Sequence, residues 1–184
     1  MARSLQGAQD WAQQEFATAD LGDPRRIQRL VRVAGALAGK PRGTLPGSFS
    51  NWAELKAAYR LLESPEVSHE KISQPHWQRT HDRCREPGAY LLIEDSTSLD
   101  FTFHPGAQGL GRIGNDQGRG LHVHTTLAVR VEGWRQEQEP EVTVAGLFGQ
   151  SCWARTDPPK RGLEKKLDRL RAYLSRQPSE SPAR

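Results

Sequence analysis

Ala89-Tyr90-Leu91-Leu92-Ile93-Glu94-Asp95-Ser96-Thr97-Ser98-Leu99 runs from an apolar stretch through two adjacent carboxylates into small hydroxyl residues. Tyr90 to Ile93 has no polar break, the pattern of a strand covered on both faces. Glu94 and Asp95 are expected at its end. A carboxylate held there is costly unless something pairs it, and a divalent cation or a substrate proton is the usual functional partner. The competing role is structural: Asp95 caps a turn into Ser96 and Thr97, since Asp and Ser favour turns for reasons unrelated to catalysis.

Upstream of this stretch the periodicity is helical. Ala8 to Ala17 carries Trp11, Ala12, Phe16 and Ala17 at helical spacing. Leu21-Gly22-Asp23-Pro24-Arg25-Arg26 then predicts a helix start, with Asp23 as N-cap and Pro24 in the first turn, where a missing N–H costs nothing. Through Leu37, Ile27, Leu30, Val31, Val33, Ala34 and Leu37 form one broad apolar face, while Arg25, Arg29 and Arg32 stripe the other. A solvated helix normally mixes charge signs at these steps, and no acid follows Asp23, so phosphate contact is favoured over simple solvation. Residues 38–49 read as a loop that continues the basic surface through Lys40 and Arg42. Asn51 or Ser50 caps a further helix, with Trp52, Leu55, Ala58, Tyr59 and Leu62 expected inward and Lys56 and Arg60 outward. Ser68 to Arg83 reads as another helix, bent or broken near Pro75, with Ile72, Trp77 and Thr80 inward and His69, His76 and His81 in no metal-binding spacing.

Downstream the periodicity is that of strands. Leu99 to His104 alternates and predicts a half-exposed second strand. Residues 105–120 hold six glycines but neither phosphate-loop fingerprint, which leaves a long hairpin connection. Leu121 to Val131 predicts a third strand with His122 and His124 on one face. Such a pair ligates zinc or iron only with a third ligand, and none can be placed. Glu141 to Phe148 predicts a fourth strand, completing an antiparallel meander. Leu163, Leu167, Leu170 and Leu174, interleaved with Lys165, Lys166, Arg169 and Arg171, predict a basic amphipathic helix before a polar tail.

The whole-chain properties agree. The chain of 184 residues accommodates one good core, or a small helical domain plus part of a larger one. Its net charge of +4 leans toward an acidic partner such as nucleic acid. Cys84 and Cys152 form no C-x-x-C pair, which favours a reducing, cytoplasmic setting over a zinc site or disulfide framework. Met1 to Asp10 lacks a signal-peptide core, and no apolar run approaches the roughly 18 residues of a membrane span, so no membrane partner is expected.

Taken in order, Trp11, Leu21-Gly22-Asp23-Pro24-Arg25-Arg26, Ala58-Tyr59-Arg60, Ile93-Glu94-Asp95-Ser96-Thr97-Ser98-Leu99, His124, Gly146-Leu147 and Gln150-Ser151-Cys152-Trp153-Ala154-Arg155 resemble the transposon-five-type transposases of bacterial insertion sequences. The resemblance runs from about Gln9 to about Asp157. It implies an α+β protein: a small all-helical domain (1–86) that binds double-stranded transposon-end DNA, then the first strands of an incomplete ribonuclease-H-like domain (87–159), then a basic helix and tail (160–184). In that family three acids, Asp, Asp and Glu, hold two Mg²⁺ or Mn²⁺ ions, and the resemblance makes Asp95 the first of them. Two such ions activate a nucleophile and stabilise the leaving oxygen in phosphoryl transfer, which one carboxylate cannot do alone.

The family's second Asp and its Glu lie beyond the stretch matched here. Asp157, Glu164 and Asp168 do not convincingly replace them, so the expectation is a truncated transposase, inactive alone and associated with the nucleoid through DNA. Arg25, Arg26, Arg29, Lys40, Arg42, Lys56 and Arg60 are the expected DNA contacts. The alternatives are a Mg²⁺-dependent nuclease or transposase completed by another chain, and an inhibitor of full-length transposase. A homodimer or a complex with that enzyme is the expected protein assembly.

Overall fold

Five helices precede four strands among the described residues: α1 Leu5–Phe16, α2 Pro24–Gly39, α3 Leu45–Ser48, α4 Trp52–Leu62, α5 His69–Arg83, β1 Ala89–Asp100, β2 Gly111–Ile113, β3 Gly118–Glu132 and β4 Glu141–Trp153. The computed structural model describes residues 5–114, 117–133 and 139–156, with the isolated positions 166, 167 and 169. The expected α+β organisation is therefore present, helices first and an antiparallel sheet after them. Most of the predicted basic helix, together with Asp157, Glu164 and Asp168, falls outside the described residues. No helix among the described residues is long and apolar enough to cross a membrane.

The helix starts follow their capping residues. Asp23 is the N-cap of α2, its carboxylate accepting the Arg25 N–H at 2.8 Å, with Pro24 in the first turn. Asn51 rather than Ser50 caps α4, accepting the Glu54 N–H at 2.9 Å. The region expected to be all loop contains α3, which forms because the Thr44 hydroxyl accepts the Gly47 N–H at 3.2 Å and Pro46 sits in the first turn, where it breaks no hydrogen bond. On α4 the buried face is Leu55, Ala58 and Leu61, with Trp52 and Leu62 exposed. That face is rotated from the expected one because Leu61, not Leu62, meets the core.

The chain divides into two units, one of Met1–Asp95 with His124–Ser151 and one of Ser96–Val123 with Cys152–Arg184. In the first, Ala19, Leu21, Leu30, Val33, Ala58 and Leu61 form a hydrophobic core, with Phe16, Ile27, Phe49, Val67 and Ile72 packed against it. Helix α1 meets α2 through small residues: Ala8 and Ala12 are fully buried, and a Cβ at Gly35 would lie 3.1 Å from the Gln9 Cα. Ridges this shallow let two helix backbones approach closely.

A buried polar network joins α1, α5 and β4 within this unit. Glu15 is 1% exposed. One of its carboxylate oxygens lies 2.8 Å from His76 Nδ1, and the other accepts from Arg83 Nη2. The remaining groups point at β4. His76 Nε2 accepts the Leu147 N–H at 3.0 Å, Arg83 Nη1 donates to the Ala145 carbonyl at 3.0 Å, and His81 Nε2 lies 2.7 Å from the Phe148 carbonyl. His69 bonds to Gln150 at 2.8 Å, and Gln150 donates to Thr125 at 2.8 Å. Gly146, at φ 144°, sits where a Cβ would strike Thr80 Oγ1, so only glycine allows β4 this close to α5. Helix α5 runs through Pro75 as one element rather than breaking there.

The sheet has order β1-β3-β2, with β4 also paired to β3. It is not the simple meander expected, because β3 takes all three partners and β2 is only a three-residue hairpin arm, with Gly111, Arg112 and Ile113 opposite Gly120, Arg119 and Gly118. Two further expectations are overturned. The strand around Asp95 does not stop at the carboxylates but continues to Asp100, with β3 as its neighbour in the sheet; just past its end Phe101 N–H bonds to the Arg119 carbonyl at 2.8 Å. No second strand starts at Leu99. Asp100 instead closes a turn, accepting the Thr102 N–H at 2.8 Å, and His104 N–H returns to the Phe101 carbonyl at 2.9 Å. Nor is the strand covered on both faces: Leu91, Leu92 and Ile93 are 44%, 51% and 51% exposed.

Candidate nucleic-acid interface

The N-cap of α2 places three arginines in its first two turns, and α4 brings a fourth beside them. Arg25, Arg26, Arg29 and Arg60 line a cavity of about 310 Å³ with Asp23, Leu61 and Ser64. These side chains do different work. Arg26 Nη1 donates to the Leu21 carbonyl at 2.9 Å, bracing the turn before α2, so part of its donor capacity is used internally. The guanidinium groups of Arg25, Arg29 and Arg60 have no hydrogen bond or ion pair among the described residues and keep their donors for a ligand. Asp23, the single acid of the cavity, accepts the Arg25 backbone N–H rather than neutralising a side chain. The positive end of the α2 dipole adds to the same field.

The other predicted contacts, Lys40, Arg42 and Lys56, occupy exposed positions outside this cavity. Lys40 Nζ donates to the Gly47 carbonyl at 2.9 Å and so ties the loop before α3, whereas Arg42 and Lys56 are exposed without such a tie. Arg29 also lines a second cavity, of about 490 Å³, with Arg32, Gln9, Glu54 and Phe49. The sequence reading missed two aromatic neighbours. Trp52 is 69% exposed and Tyr59 is 38% exposed, and both lie at helical spacing from Lys56 and Arg60 on the outer face of α4. Their apolar character suggested core. The signal available was the alternative stripe of Leu55, Ala58 and Leu61, which accounts for the core without them.

Alternating cations and aromatics on one helix face suit a polyanion whose sugars and bases offer apolar contact. Residues 8–67 match the family described as transposase DNA-binding. The N-terminal helices are a transposase DNA-binding region. The match spans most of α1 and all of α2, α3 and α4, ends before α5, and covers roughly a third of the chain. It includes every residue of the arginine cavity, and DNA is thereby the partner of this region.

Asp95 stands elsewhere. It lies in the middle of β1, exposed, and makes no hydrogen bond or ion pair among the described residues. The continuing strand leaves it no turn to cap. Glu94, one position earlier, points to the opposite face and lies 4.0 Å from His124 Nε2. His122 is engaged separately, 3.3 Å from Ser98 Oγ and stacked on Trp153 with ring centroids 5.7 Å apart. No three His, Cys, Asp or Glu side chains among the described residues converge to hold a metal ion. Asp95 and its described neighbours alone therefore do not supply the ligand set of a two-metal centre.

A cavity of about 790 Å³ lies between α1, α5 and the sheet, lined by Glu15, His76, Arg83, Tyr90 and Arg130 among others. Its chemistry is structural. Glu15 is committed to His76 and Arg83, and the Tyr90 hydroxyl donates to the Arg83 carbonyl at 2.8 Å.

Proposed function

We propose that this chain binds the ends of an insertion-sequence transposon through Arg25, Arg29, Arg42, Lys56 and Arg60, with Arg26 and Lys40 bracing the loops that present them. On this reading the protein is of the transposon-five type, and its strands are the first part of a ribonuclease-H-like domain in which Asp95 is the first of three acids. The observation that carries the proposal is the convergence of Arg25, Arg29 and Arg60, unpaired, within the segment that matches transposase DNA-binding regions. Among the described residues no second and third acid join Asp95, so on this reading the chain alone binds without turnover, and Mg²⁺ or Mn²⁺ requires ligands from beyond the described residues. DNA as partner places the chain with the nucleoid.

The test is fluorescence anisotropy with end DNA and scrambled duplex over a range of salt. Each phosphate contact contributes about 0.9 to the slope of log K against log salt. Replacing Arg25, Arg29 and Arg60 by Gln lowers that slope by about 3 if each holds one phosphate. Equal affinity for end and scrambled DNA sinks the transposon-end reading, and an unchanged slope in the triple variant sinks the site. Incubation with Mg²⁺ yields no cleavage by this chain alone. The exposed apolar run of β1 favours one further reading, assembly with a second polypeptide such as full-length transposase that completes the sheet and its acids. Cleavage that appears only with that partner, and is lost in Asp95→Asn, is the expected result of that arrangement.

A further inference from the structure

Trp52 opens α4 but takes no part in its core. The buried side of this helix is made by Leu55, Ala58 and Leu61, whereas Trp52 is 69% exposed. Asn51 caps the helix by accepting the Glu54 N–H at 2.9 Å, so the turn that carries Trp52 is fixed at its start. Glu54, two positions on, is directed to another side of the helix, where it lines the cavity of Arg29 and Arg32. Lys56, Tyr59 and Arg60 share the face of Trp52. An indole held in water beside cations, within the segment that matches transposase DNA-binding regions, offers apolar area that a bound duplex can cover.

Helix dimensions decide which part of a duplex that area meets. Arg60, at the other end of the face, lines the arginine cavity with Arg25 and Arg29 and so marks where a phosphate backbone runs. Trp52 lies eight positions before it. At 1.5 Å per residue that is about 12 Å along the helix axis. The major groove is about 12 Å wide and admits an α-helix, so a helix anchored on a phosphate through Arg60 carries Trp52 over base edges rather than onto the same stretch of backbone. Among the donors and acceptors of that groove, the apolar group is the thymine 5-methyl. Indole presents a single N–H and otherwise a flat apolar surface, which suits a methyl better than any of the polar edges.

We propose that Trp52 is a specificity-determining residue, its indole packing on the 5-methyl group of a thymine in the major groove of the bound duplex. This rests on the reading of the N-terminal helices as a site for transposon-end DNA and deepens it by naming a base. Full-length chain is titrated by fluorescence anisotropy with end DNA and with the same duplex carrying deoxyuridine for every thymine, which removes the methyls and keeps every hydrogen-bonding group. The parent chain binds the uracil duplex about fourfold more weakly for each methyl contacted, the value for burying one such group. W52A binds both duplexes equally, at the weaker level, and its salt slope matches the parent because no phosphate contact is removed. W52F keeps an aromatic face and retains part of the thymine preference. Equal binding of the two duplexes by the parent chain overturns the contact. A uracil penalty that persists in W52A overturns its assignment to Trp52. Melting curves of W52A match the parent, as for an exposed side chain; if they do not, the uracil duplex still tests the contact on the unaltered protein. R25Q/R29Q/R60Q lowers the salt slope and leaves the uracil penalty in place, and equal binding of end and scrambled DNA removes the transposon-end reading, so failure of that reading is separate from failure of the thymine contact.

Discussion

His76 shows how one residue's chemistry is fixed by its neighbours. Its Nε2 faces the Leu147 N–H at 3.0 Å, so this nitrogen accepts and carries no proton, which leaves the proton on Nδ1 facing Glu15 at 2.8 Å. Nitrogen-15 NMR of the imidazole is expected to show the Nδ1–H tautomer, and an Nε2–H signature would contradict the docking of β4 on α5. Asp100 carries a pH dependence. The Thr102 hydroxyl, and then its backbone N–H, hold the Asp100 carboxyl below the ordinary carboxylate range. A lowered folded value means that the stabilisation is present above the unfolded value, about 3.9, and is lost as pH falls through the folded one. Thr102→Val therefore flattens the acid limb of the melting temperature against pH, and an unchanged limb would refute the assignment. Cys84 runs the other way. Burial raises its thiol, with the Arg83 charge partly opposing, so at mildly alkaline pH exposed Cys152 is alkylated before Cys84, and unfolding removes the difference.

At the scale of elements, α2 was legible in sequence with its inner face, whereas α5 was legible as a helix but its partners were not. Asp23, Pro24 and the apolar periodicity stated the start and inner face of α2 outright, because capping and burial depend on neighbours within a few residues. The partners of α5 lie 61 to 81 residues away in sequence, and local pattern does not encode them. Even so, His69, His76 and Arg83 are spaced by sevens, which places them on one face of a helix, and that polar stripe was the readable signal for a polar dock. Burial of Glu15 makes the dock asymmetric to damage. Glu15→Ala leaves His76 and Arg83 facing a void where their acceptor was, at a cost of about 3 kcal/mol for breaking a buried pair. Glu15→Ala with Arg83→Met is expected to recover part of that loss in chemical denaturation. Helix α1 is set by size instead. Gly35→Val would push a branched side chain into the Gln9 backbone, and it lowers the melting temperature despite the better helix propensity of valine over glycine.

For the molecule as a whole, β1 poses the central question. An apolar run with no polar break was legible as a strand, but the sequence could not say whether this chain supplies its cover, since hydrophobicity records a need for burial and not the burying partner. Among the described residues α1 to α4 form a core that Ile72 of α5 joins, and α5 also hydrogen-bonds to β4. Among the described residues strand β1 pairs with β3 alone, and its other edge has no strand neighbour there. Leu91, Leu92 and Ile93 thus sit on a strand with one free edge and both faces half-exposed, the combination that templates pairing with another chain. Asp95 lies within that same strand, one position from Glu94, and these two acids are its only charges before Asp100. In antiparallel self-pairing about the strand centre, Glu94 and Asp95 of one copy would face Asp95 and Glu94 of the other, and that repulsion opposes a closed two-fold edge contact. Self-association through β1 is therefore expected to be weak and open-ended. Ile93→Lys is expected to suppress it while changing stability by no more than about 0.5 kcal/mol, as for a surface position. Sedimentation across concentration reads the association and thermal melts read the stability: if Ile93→Lys unfolds the chain, β1 is buried in solution, and if association ignores the substitution, β1 is not the contact.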